Sequence, residues 1–382
     1  MHEIAIEQAR HRWRRTTSSG IRAGNYDGRL DRKSFSYVVG RSRGVQELVA
    51  QFLNMAKWHY LLLGAGFSRN WGGWLADEVF EYLLGRPEIV ASEELRRILW
   101  ESQLRGGFEY ALEVLQAAAG RGDSGASDHV EKLKAAVVAM FDEMNYAFDD
   151  IVNWELSDQH DSQISTFLMK FDAIFSLNQD LLLERHYLSG NPELRHPERW
   201  IGAAMPGIAP IAAPTASIIG QRWQILADDE FKIDARIQPY FKLHGSTNWN
   251  SRDGKGTLVI GGNKTEAIGG SPILTWYFRE FEAALFAGDA RLMVIGYGFR
   301  DQHINDLIIR AVNHCGLKLF VVSPEGAGQA RLVNRSAGGA IHASDKLESA
   351  FERGVIGASR RGLKEIFGGR GAELAKLERY FS

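Results

Sequence analysis

Five short apolar runs constrain the fold of this chain more than any other feature of its sequence. The runs are of strand length, and each one ends at its carboxyl side in glycine or polar residues; they lie within residues 59–68, 171–178, 238–246, 290–298 and 317–326. Short apolar runs of this kind are typical of strands that are buried on both faces of a parallel sheet. The sequence therefore predicts an α/β protein whose parallel sheet is flanked by helices.

Segments with the 3.6-residue apolar period of amphipathic helices separate the runs. Three such segments follow one another between about residues 90 and 170, with a polar break at 121–128. We interpret this region as a helical insert domain within a sheet domain that spans residues 45–326. Residues 327–382 are predicted to form a C-terminal helical extension.

The first 44 residues form a basic N-terminal arm, with ten Arg and Lys residues against four Asp and Glu residues. Such an arm is either a solvated tail or a surface that binds a partner. Direct binding of nucleic acid rests on this arm alone, because the net charge of the whole chain is −2. The composition gives no general reason to expect a nucleic acid or a membrane as the partner.

The number of cysteines and the hydropathy of the chain exclude several classes of protein. The chain has one cysteine, Cys315, which rules out an intrachain disulfide and a zinc site of several thiolates. The first residues lack the apolar core of a signal peptide. The longest uncharged run, which begins at Ile201, contains three prolines that disfavour a membrane-spanning helix. We expect a cytoplasmic protein without a zinc module, and we predict no metal ligands.

The residues that follow the five runs form the predicted site, because ligands of parallel sheets bind beyond the carboxyl ends of the strands. The first run enters the turn Gly64-Ala65-Gly66, where small residues let the backbone approach a phosphate at a helix N-terminus. An ordinary turn between a strand and a helix, which binds no ligand, can have the same sequence. The complete dinucleotide fingerprint requires a glycine where Arg69 stands, so the pattern favours a pyrophosphate ligand over a hydride-transfer enzyme.

Three of these motifs, in their order along the chain, resemble those of the sirtuin family. The stretches GAGFS, SLNQD and KLHGSTNW are similar to its GAG-x-S loop, its N-x-D motif and its H-G motif. VIGYGFRDQHIND and VVSPEG stand where that family has its later dinucleotide-binding loops. The resemblance covers roughly residues 58–326 and implies a Rossmann-like fold that binds NAD as its substrate. Sirtuin deacylases carry a zinc module with four cysteines, which this chain cannot form.

The sequence also lacks the Pro-Asp-Phe-Arg that usually follows the GAG-x-S loop, and it thereby resembles a divergent bacterial branch of sirtuin-like proteins of antiphage defence. Members of that branch that are paired with HerA-type ATPases or short Argonautes resemble NAD hydrolases. The resemblance implies cleavage of NAD to nicotinamide and ADP-ribose, NAD depletion in abortive infection, a homo-oligomer, and a separately encoded partner such as a HerA-type ATPase. An NAD-dependent protein deacylase and a non-catalytic sensor of NAD or ADP-ribose remain the alternatives.

The resemblance also assigns roles to individual residues. Asn178 is expected to orient water or ribose hydroxyls, Asp180 to accept hydrogen bonds from the nicotinamide amide, and His244 to act as the general base. Taken alone, these residues can equally be a turn asparagine, a helix cap and a hydrogen-bonded histidine at a strand end. His303 is interpreted as a helix-surface or packing histidine. The residues expected to contact the dinucleotide are Gly64, Ala65, Gly66, Ser68, Arg69, Gly245, Ser246, Gly296, Gly298, Ser323 and Glu325, of which the last four also fit ordinary tight turns.

Overall fold

A computed structural model describes residues 57–188, 199–211, 222–251, 256–262, 264–336, 341–368 and 371–382. The basic arm that the sequence predicts at residues 1–44 lies outside this range. Among the described residues, no helix combines the length and the apolar character needed to span a membrane.

Seven strands form the central sheet, and every neighbouring pair is parallel. The strands are β1 (Trp58–Leu63), β2 (Ala173–Ser176), β3 (Ala203–Ala204), β6 (Gln238–Lys242), β9 (Ala290–Ile295), β10 (Lys318–Val322) and β11 (Val355–Ser359). Their order in the sheet is β11-β10-β9-β1-β2-β6-β3. All five apolar runs form strands of this sheet, as predicted. Leu61 and Leu62 in the centre of β1 are completely buried, which explains why the run carries no polar residue on either face.

The strand order reverses at β1. From β1 the chain continues to β2 and β6 on one side of the sheet, and it later returns to place β9, β10 and β11 on the other side. This is the order of a Rossmann-like sheet, in which the crevice beyond the carboxyl ends of the two central strands is the usual position of a ligand. Here the central strands are β1 and β9.

A second, mixed sheet has the order β4-β5-β7-β8. Its strands are β4 (Ile208–Pro210), β5 (Trp223–Ile225), β7 (Gly245–Asn250) and β8 (Gly256–Leu258). Because β6 ends at Lys242 and β7 begins at Gly245, the two sheets are joined through Leu243 and His244. His244 therefore lies at the junction between the sheets.

Seven helices lie between β1 and β2. They are α1 (Ala65–Ser68), α2 (Ala76–Leu84), α3 (Pro87–Val90), α4 (Glu93–Ser102), α5 (Phe108–Gly120), α6 (Ala126–Asp149) and α7 (Ile164–Leu168). The three predicted segments of the insert correspond to α4, α5 and α6, and the break between α5 and α6 coincides with the predicted polar stretch. The Ser92 hydroxyl accepts a hydrogen bond from the Leu95 backbone N–H and caps the start of α4.

The remaining helices follow β2 and the later strands. They are α8 (Leu182–His186), α9 (Lys264–Gly269), α10 (Pro272–Leu285), α11 (Gln302–Cys315), α12 (Gln329–Ser336), α13 (Ile341–Gly354), α14 (Leu363–Phe367) and α15 (Ala372–Glu378).

The C-terminal region differs from its prediction as a purely helical extension of residues 327–382. Residues Val355–Ser359 form β11, which pairs with β10 at the edge of the sheet. The reason is visible in the packing of Gly357, where a Cβ atom would lie 2.5 Å from the Phe320 ring. The glycine lets this segment lie close against β10, so the C-terminal region completes the parallel sheet.

Candidate active site at the reversal of the strand order

The turn after β1 is in direct backbone contact with the loop after β9. Gly64 N donates a hydrogen bond to Ile295 O at 3.0 Å, and Gly66 N donates one to Gly296 O at 2.9 Å. Gly296 has a φ of +68°, and a Cβ atom at this position would lie 2.3 Å from Phe67 N. The contact therefore requires glycine on both sides, which adds a packing reason to the predicted role of the GAG turn in ligand binding.

The turn after β1 also holds the loop after β2. The Ser68 hydroxyl donates to Asp180 Oδ2 at 2.8 Å and accepts a hydrogen bond from Asn178 Nδ2 at 3.0 Å. Asn178 Nδ2 donates its second hydrogen bond to Gly64 O at 3.1 Å. Because a carbonyl oxygen only accepts, this contact fixes which way the Asn178 amide points. Three residues that the sequence predicts for the site are thus brought together.

Asp180 lies behind this cluster in the protein interior, where it is 5% exposed. Its second oxygen accepts a hydrogen bond from Leu182 N at 3.1 Å, at the start of α8. Burial raises the pKa of Asp180 above its ordinary value, although Lys242 and the bond from Ser68 act in the opposite direction. Both oxygens are engaged by protein groups, and the contact with nicotinamide that we predict for Asp180 stays a prediction.

Lys242 at the end of β6 ties the loop after β2 to the junction between the sheets. The completely buried ammonium donates to Asp180 O at 2.6 Å, to Glu184 Oε1 at 2.6 Å and to Ser246 Oγ at 2.8 Å. All three of its donors are therefore used. Ser246 in turn donates to Gln179 O at 3.4 Å, so its hydroxyl serves this interior network.

Gly245 is a dinucleotide contact in the sequence prediction, and the structure shows a packing reason for it. The residue has a φ of +72°, and a Cβ atom would lie 2.2 Å from Thr257 O on β8. Only glycine fits at the turn that begins β7.

His244 is buried at the junction between the sheets, with 2% of its surface exposed. Its Nε2 atom lies 3.2 Å from Nε2 of His303, and the ring also bonds to the backbone of Leu177. Burial lowers the pKa of His244 to about 3, against the opposing effect of the Asp301 carboxylate. The imidazole is therefore neutral at pH 7, as a general base must be.

Behind the two histidines lies a chain of charges that sequence reasoning missed. Lys264 Nζ donates to Asp301 Oδ1 at 2.6 Å and to Glu109 Oε2 at 2.9 Å. Glu109 belongs to α5, so the chain runs from the helices of the insert to the start of α11. Burial lowers the pKa of His303, as it does for His244. His303 packs against the Phe278 ring, with 5.4 Å between the ring centroids, which agrees with its interpretation as a packing histidine, and it also contacts the predicted general base.

The insert makes a second contact with the site through α6. The buried Asn145 side chain accepts a hydrogen bond from Leu181 N at 2.8 Å through Oδ1, and its Nδ2 donates to Thr247 Oγ1 at 3.4 Å. One side chain of the insert therefore bridges the loop after β2 and the strand β7.

The other predicted dinucleotide contacts lie at separate points around the crevice. The Ser323 hydroxyl, at the end of β10, is buried and has no hydrogen-bond partner among the described residues. Gly298 O accepts a hydrogen bond from Gln329 Nε2 at 3.4 Å. Glu325 is half-buried beside them, and Ala65 is exposed. Arg69 is exposed and forms an ion pair with Glu78 of α2.

Comparison with known proteins supports the sirtuin-like assignment. The model of the SIR2-like domain matches residues 172–339. The matched range begins just before β2 and contains the loops from Asn178 to Glu325, whereas β1 and the GAG turn precede it. SIR2-like domains use NAD, and the parallel sheet described above is consistent with their fold. No curated protein matches the chain.

Proposed function

We propose that this chain is an NAD hydrolase that cleaves the bond between nicotinamide and ribose to give nicotinamide and ADP-ribose. One observation carries the proposal. Asn178 follows β2 and His244 follows β6, the neighbouring strand, and both lie on the edge of the sheet where the loops of β1 and β9 meet. Two polar side chains that suit the proposed cleavage of NAD thus lie beside the turn after β1, which we propose as the pyrophosphate site.

The edge of the sheet also has a polar group whose hydrogen bonding a bound dinucleotide would complete. The turn after β1 leads into the four-residue helix α1, and the N–H groups of Gly66 and Phe67 are already bonded to Gly296 O and Gly64 O. Across the reversal of strand order, the buried hydroxyl of Ser323 has no hydrogen-bond partner among the described residues. A buried polar group that is left unpaired is costly, so a ligand hydroxyl or phosphate oxygen is a reasonable partner.

The proposed chemistry uses the free oxygen of Asn178 and the lone pair of His244. Both N–H groups of the Asn178 amide are used within the protein, which leaves Oδ1 to accept a hydrogen bond from a water or a ribose hydroxyl. As nicotinamide leaves with the bonding electron pair, positive charge develops on the ribose. Water then bonds to the anomeric carbon, and neutral His244 accepts the proton that the water loses.

The site is closed in this structure. His244 is buried, and the hydrogen bond to His303 occupies its Nε2 atom. Substrate access therefore requires the two histidines to separate, and we propose that this step gates the activity. Asn145 and Glu109 give the insert two contacts through which it can act on the site.

Gating of this kind fits an enzyme that depletes cellular NAD only when it is triggered. We propose a cytoplasmic role in antiphage defence by abortive infection, with a homo-oligomer and a separately encoded partner such as a HerA-type ATPase. A non-catalytic sensor of NAD or ADP-ribose is the second candidate, because burial of His244 also fits a chain that binds a dinucleotide without cleaving it. A protein deacylase is disfavoured by the single cysteine, which cannot form the zinc module of that class.

The test is release of nicotinamide from NAD by the purified chain, with and without an acetylated peptide. His244→Ala and Asn178→Ala are the active-site variants, and His314→Ala, at an exposed position on α11, is the matched control. Peptide-independent release that only the two site variants abolish supports the hydrolase. Release that requires peptide identifies a deacylase, and NAD binding without release, also in the presence of the partner, identifies the sensor.

A further inference from the structure

Three side chains meet at the closed site with the spacing of metal ligands. His244, His303 and Asp301 each offer one ligand atom, and these atoms lie within 4.8 Å of one another. The two Nε2 atoms are 3.2 Å apart. Two imidazole nitrogens that bind one ion at about 2.0–2.1 Å are themselves separated by roughly 3.0–3.4 Å, so the histidine pair already has the spacing of a shared metal.

The surroundings of the three side chains support this assignment. The His244 ring is held by a bond to the backbone of Leu177, and ligating histidines usually donate their second ring nitrogen to such a group. Lys264 binds Oδ1 of Asp301, which leaves the other carboxylate oxygen for an ion. The negative charges of Asp301 and Glu109 are balanced by Lys264 and Arg300, so the ligand geometry, and not a net charge, favours a cation here.

We propose that His244, His303 and Asp301 bind a divalent transition-metal ion, with Zn²⁺ as the leading candidate. Two imidazoles and one carboxylate suit zinc, cobalt or iron(II), whereas magnesium and calcium prefer sites made only of oxygen ligands. In the metal-free state one proton lies between the two Nε2 atoms. When the ion binds, this proton moves to the other nitrogen of its ring, so both Nε2 lone pairs become ligands and both imidazoles stay neutral.

Metal binding has a consequence that rests on the proposed hydrolase function. The ion occupies the lone pair with which His244 accepts a proton from water, and it holds His244 and His303 together in the closed arrangement. The metal-loaded chain is therefore an inactive form. Removal of the ion is a precondition for catalysis.

Cobalt(II) gives a direct measurement of the site, because its visible absorption reports the number and type of its ligands. The complete chain is treated with EDTA, dialysed and titrated with Co²⁺, and Zn²⁺ is then added in competition. We expect one Co²⁺ per chain and loss of the absorption when Zn²⁺ replaces it. Magnesium at the same concentration leaves the spectrum unchanged.

Variants show whether these three residues form the site. His303→Ala and Asp301→Asn are expected to weaken Co²⁺ binding at least tenfold, whereas His314→Ala and Asp306→Asn, at exposed positions on the same helix α11, leave it unchanged. Thermal unfolding checks that each variant is folded, and His303→Gln replaces His303→Ala if the latter is not. The site proposal is overturned if the wild-type chain binds no Co²⁺ at millimolar concentration, or if His303→Ala and His303→Gln bind it as the wild type does.

Activity measurements separate this inference from the proposed function. If Zn²⁺ stops nicotinamide release and EDTA restores it, the inhibitory role is supported. If the metal-free chain is active and Zn²⁺ binds without reducing its rate, the inhibitory role is overturned. Cobalt binding in a chain that releases no nicotinamide under any condition supports the metal site and contradicts the hydrolase.

Discussion

The hydroxyl of Ser68 donates a 2.8 Å hydrogen bond to the buried carboxylate of Asp180, although the two residues are 112 positions apart in the chain. The bond joins the turn after β1 to the loop after β2 and leaves the Ser68 oxygen free to accept from Asn178. A motif residue of one loop therefore positions a motif residue of the next. The cluster is held by protein contacts before any substrate binds.

Substitution of Ser68 by alanine tests this cluster. The variant leaves a buried carboxylate short of one donor and the Asn178 amide short of one acceptor, so we expect the free energy of unfolding to fall by about 1–3 kcal/mol. Ser124→Ala, at an exposed position between α5 and α6, is the control and should stay within about 0.5 kcal/mol of the wild type. Urea unfolding measures both. A Ser68→Ala protein as stable as the control would contradict the role of this bond.

The contact between the glycine loops is tested by two alanine substitutions with the same backbone requirement. Gly296 and Gly316 have φ values of +68° and +72°. A Cβ atom at Gly296 would lie 2.3 Å from Phe67 N, whereas nothing lies within 4 Å of one at Gly316. Gly316→Ala should cost about 1–2 kcal/mol from backbone strain alone.

Gly296→Ala should cost clearly more than Gly316→Ala and should also abolish NAD binding, because the turn after β1 must move to relieve the clash. Thermal unfolding and a calorimetric NAD titration measure the two effects. Equal losses of stability in the two variants would show that the turn after β1 can move away from the loop after β9 at no cost in the free energy of unfolding.

The buried pair of Lys242 and Glu184 gives a third prediction. Lys242→Met removes the cation and leaves the Glu184 and Asp180 carboxylates buried without it, so we expect a loss of about 3–5 kcal/mol in the free energy of unfolding. The double variant Lys242→Met with Glu184→Leu should recover a large part of this loss. Lys132→Met, which removes an exposed pair with Asp128, should cost less than about 1 kcal/mol. If the double variant is no more stable than Lys242→Met, the uncompensated charge of Glu184 is not the cause of the loss of stability.

His186 predicts how stability depends on pH. Its Nε2 atom lies 2.7 Å from Phe148 O, and burial lowers its pKa despite this bond. As the pH falls, the His186 ring of the unfolded chain takes up a proton near pH 6.5, whereas the ring in the folded chain takes one up only at a lower pH. The free energy of unfolding should therefore fall as the pH drops from 7 through 6.5 toward the lowered pKa.

His186→Gln keeps a donor for Phe148 O and removes the titration. In that pH range the variant should have a shallower dependence of stability on pH, by up to about 1.4 kcal/mol per pH unit. Urea unfolding between pH 5 and 8 measures this slope, and the difference between the proteins at pH 8 reports the packing cost alone. A variant with the wild-type slope would assign the pH dependence to other groups.

The sequence predicts the sheet well because each central strand carries its own signal. The apolar run around Leu61 and Leu62 is short, lacks polar residues and ends in glycine, and all three properties are local. The strand β11 was missed because Val355–Ser359 lies between two amphipathic helices, and its packing against Phe320 is decided by a distant element.

The same distinction applies to the candidate site. Asn178 and Ser68 could be found because each belongs to a motif that immediately follows a strand. The partners of His244 could not be predicted from the sequence. The apolar periodicity of α11 indicates that His303 is half-buried at most, but it does not show which strand His303 faces. Nor does the sequence of β6 indicate that Lys242 is completely buried, because its partner Glu184 is on α8, 58 residues earlier in the chain.

The position of β1 in the sheet also affects how the chain is made. Trp58–Leu63 pairs with Ala290–Ile295, which leaves the ribosome about 230 residues later. Until then, one edge of an apolar strand stays open during translation. Pairings this distant in sequence form slowly, and open strand edges are sites of aggregation. The nascent chain therefore depends on early burial of β1 by β2 and by the helices between them. Misassembly and binding by chaperones are most favoured before β9 is synthesised.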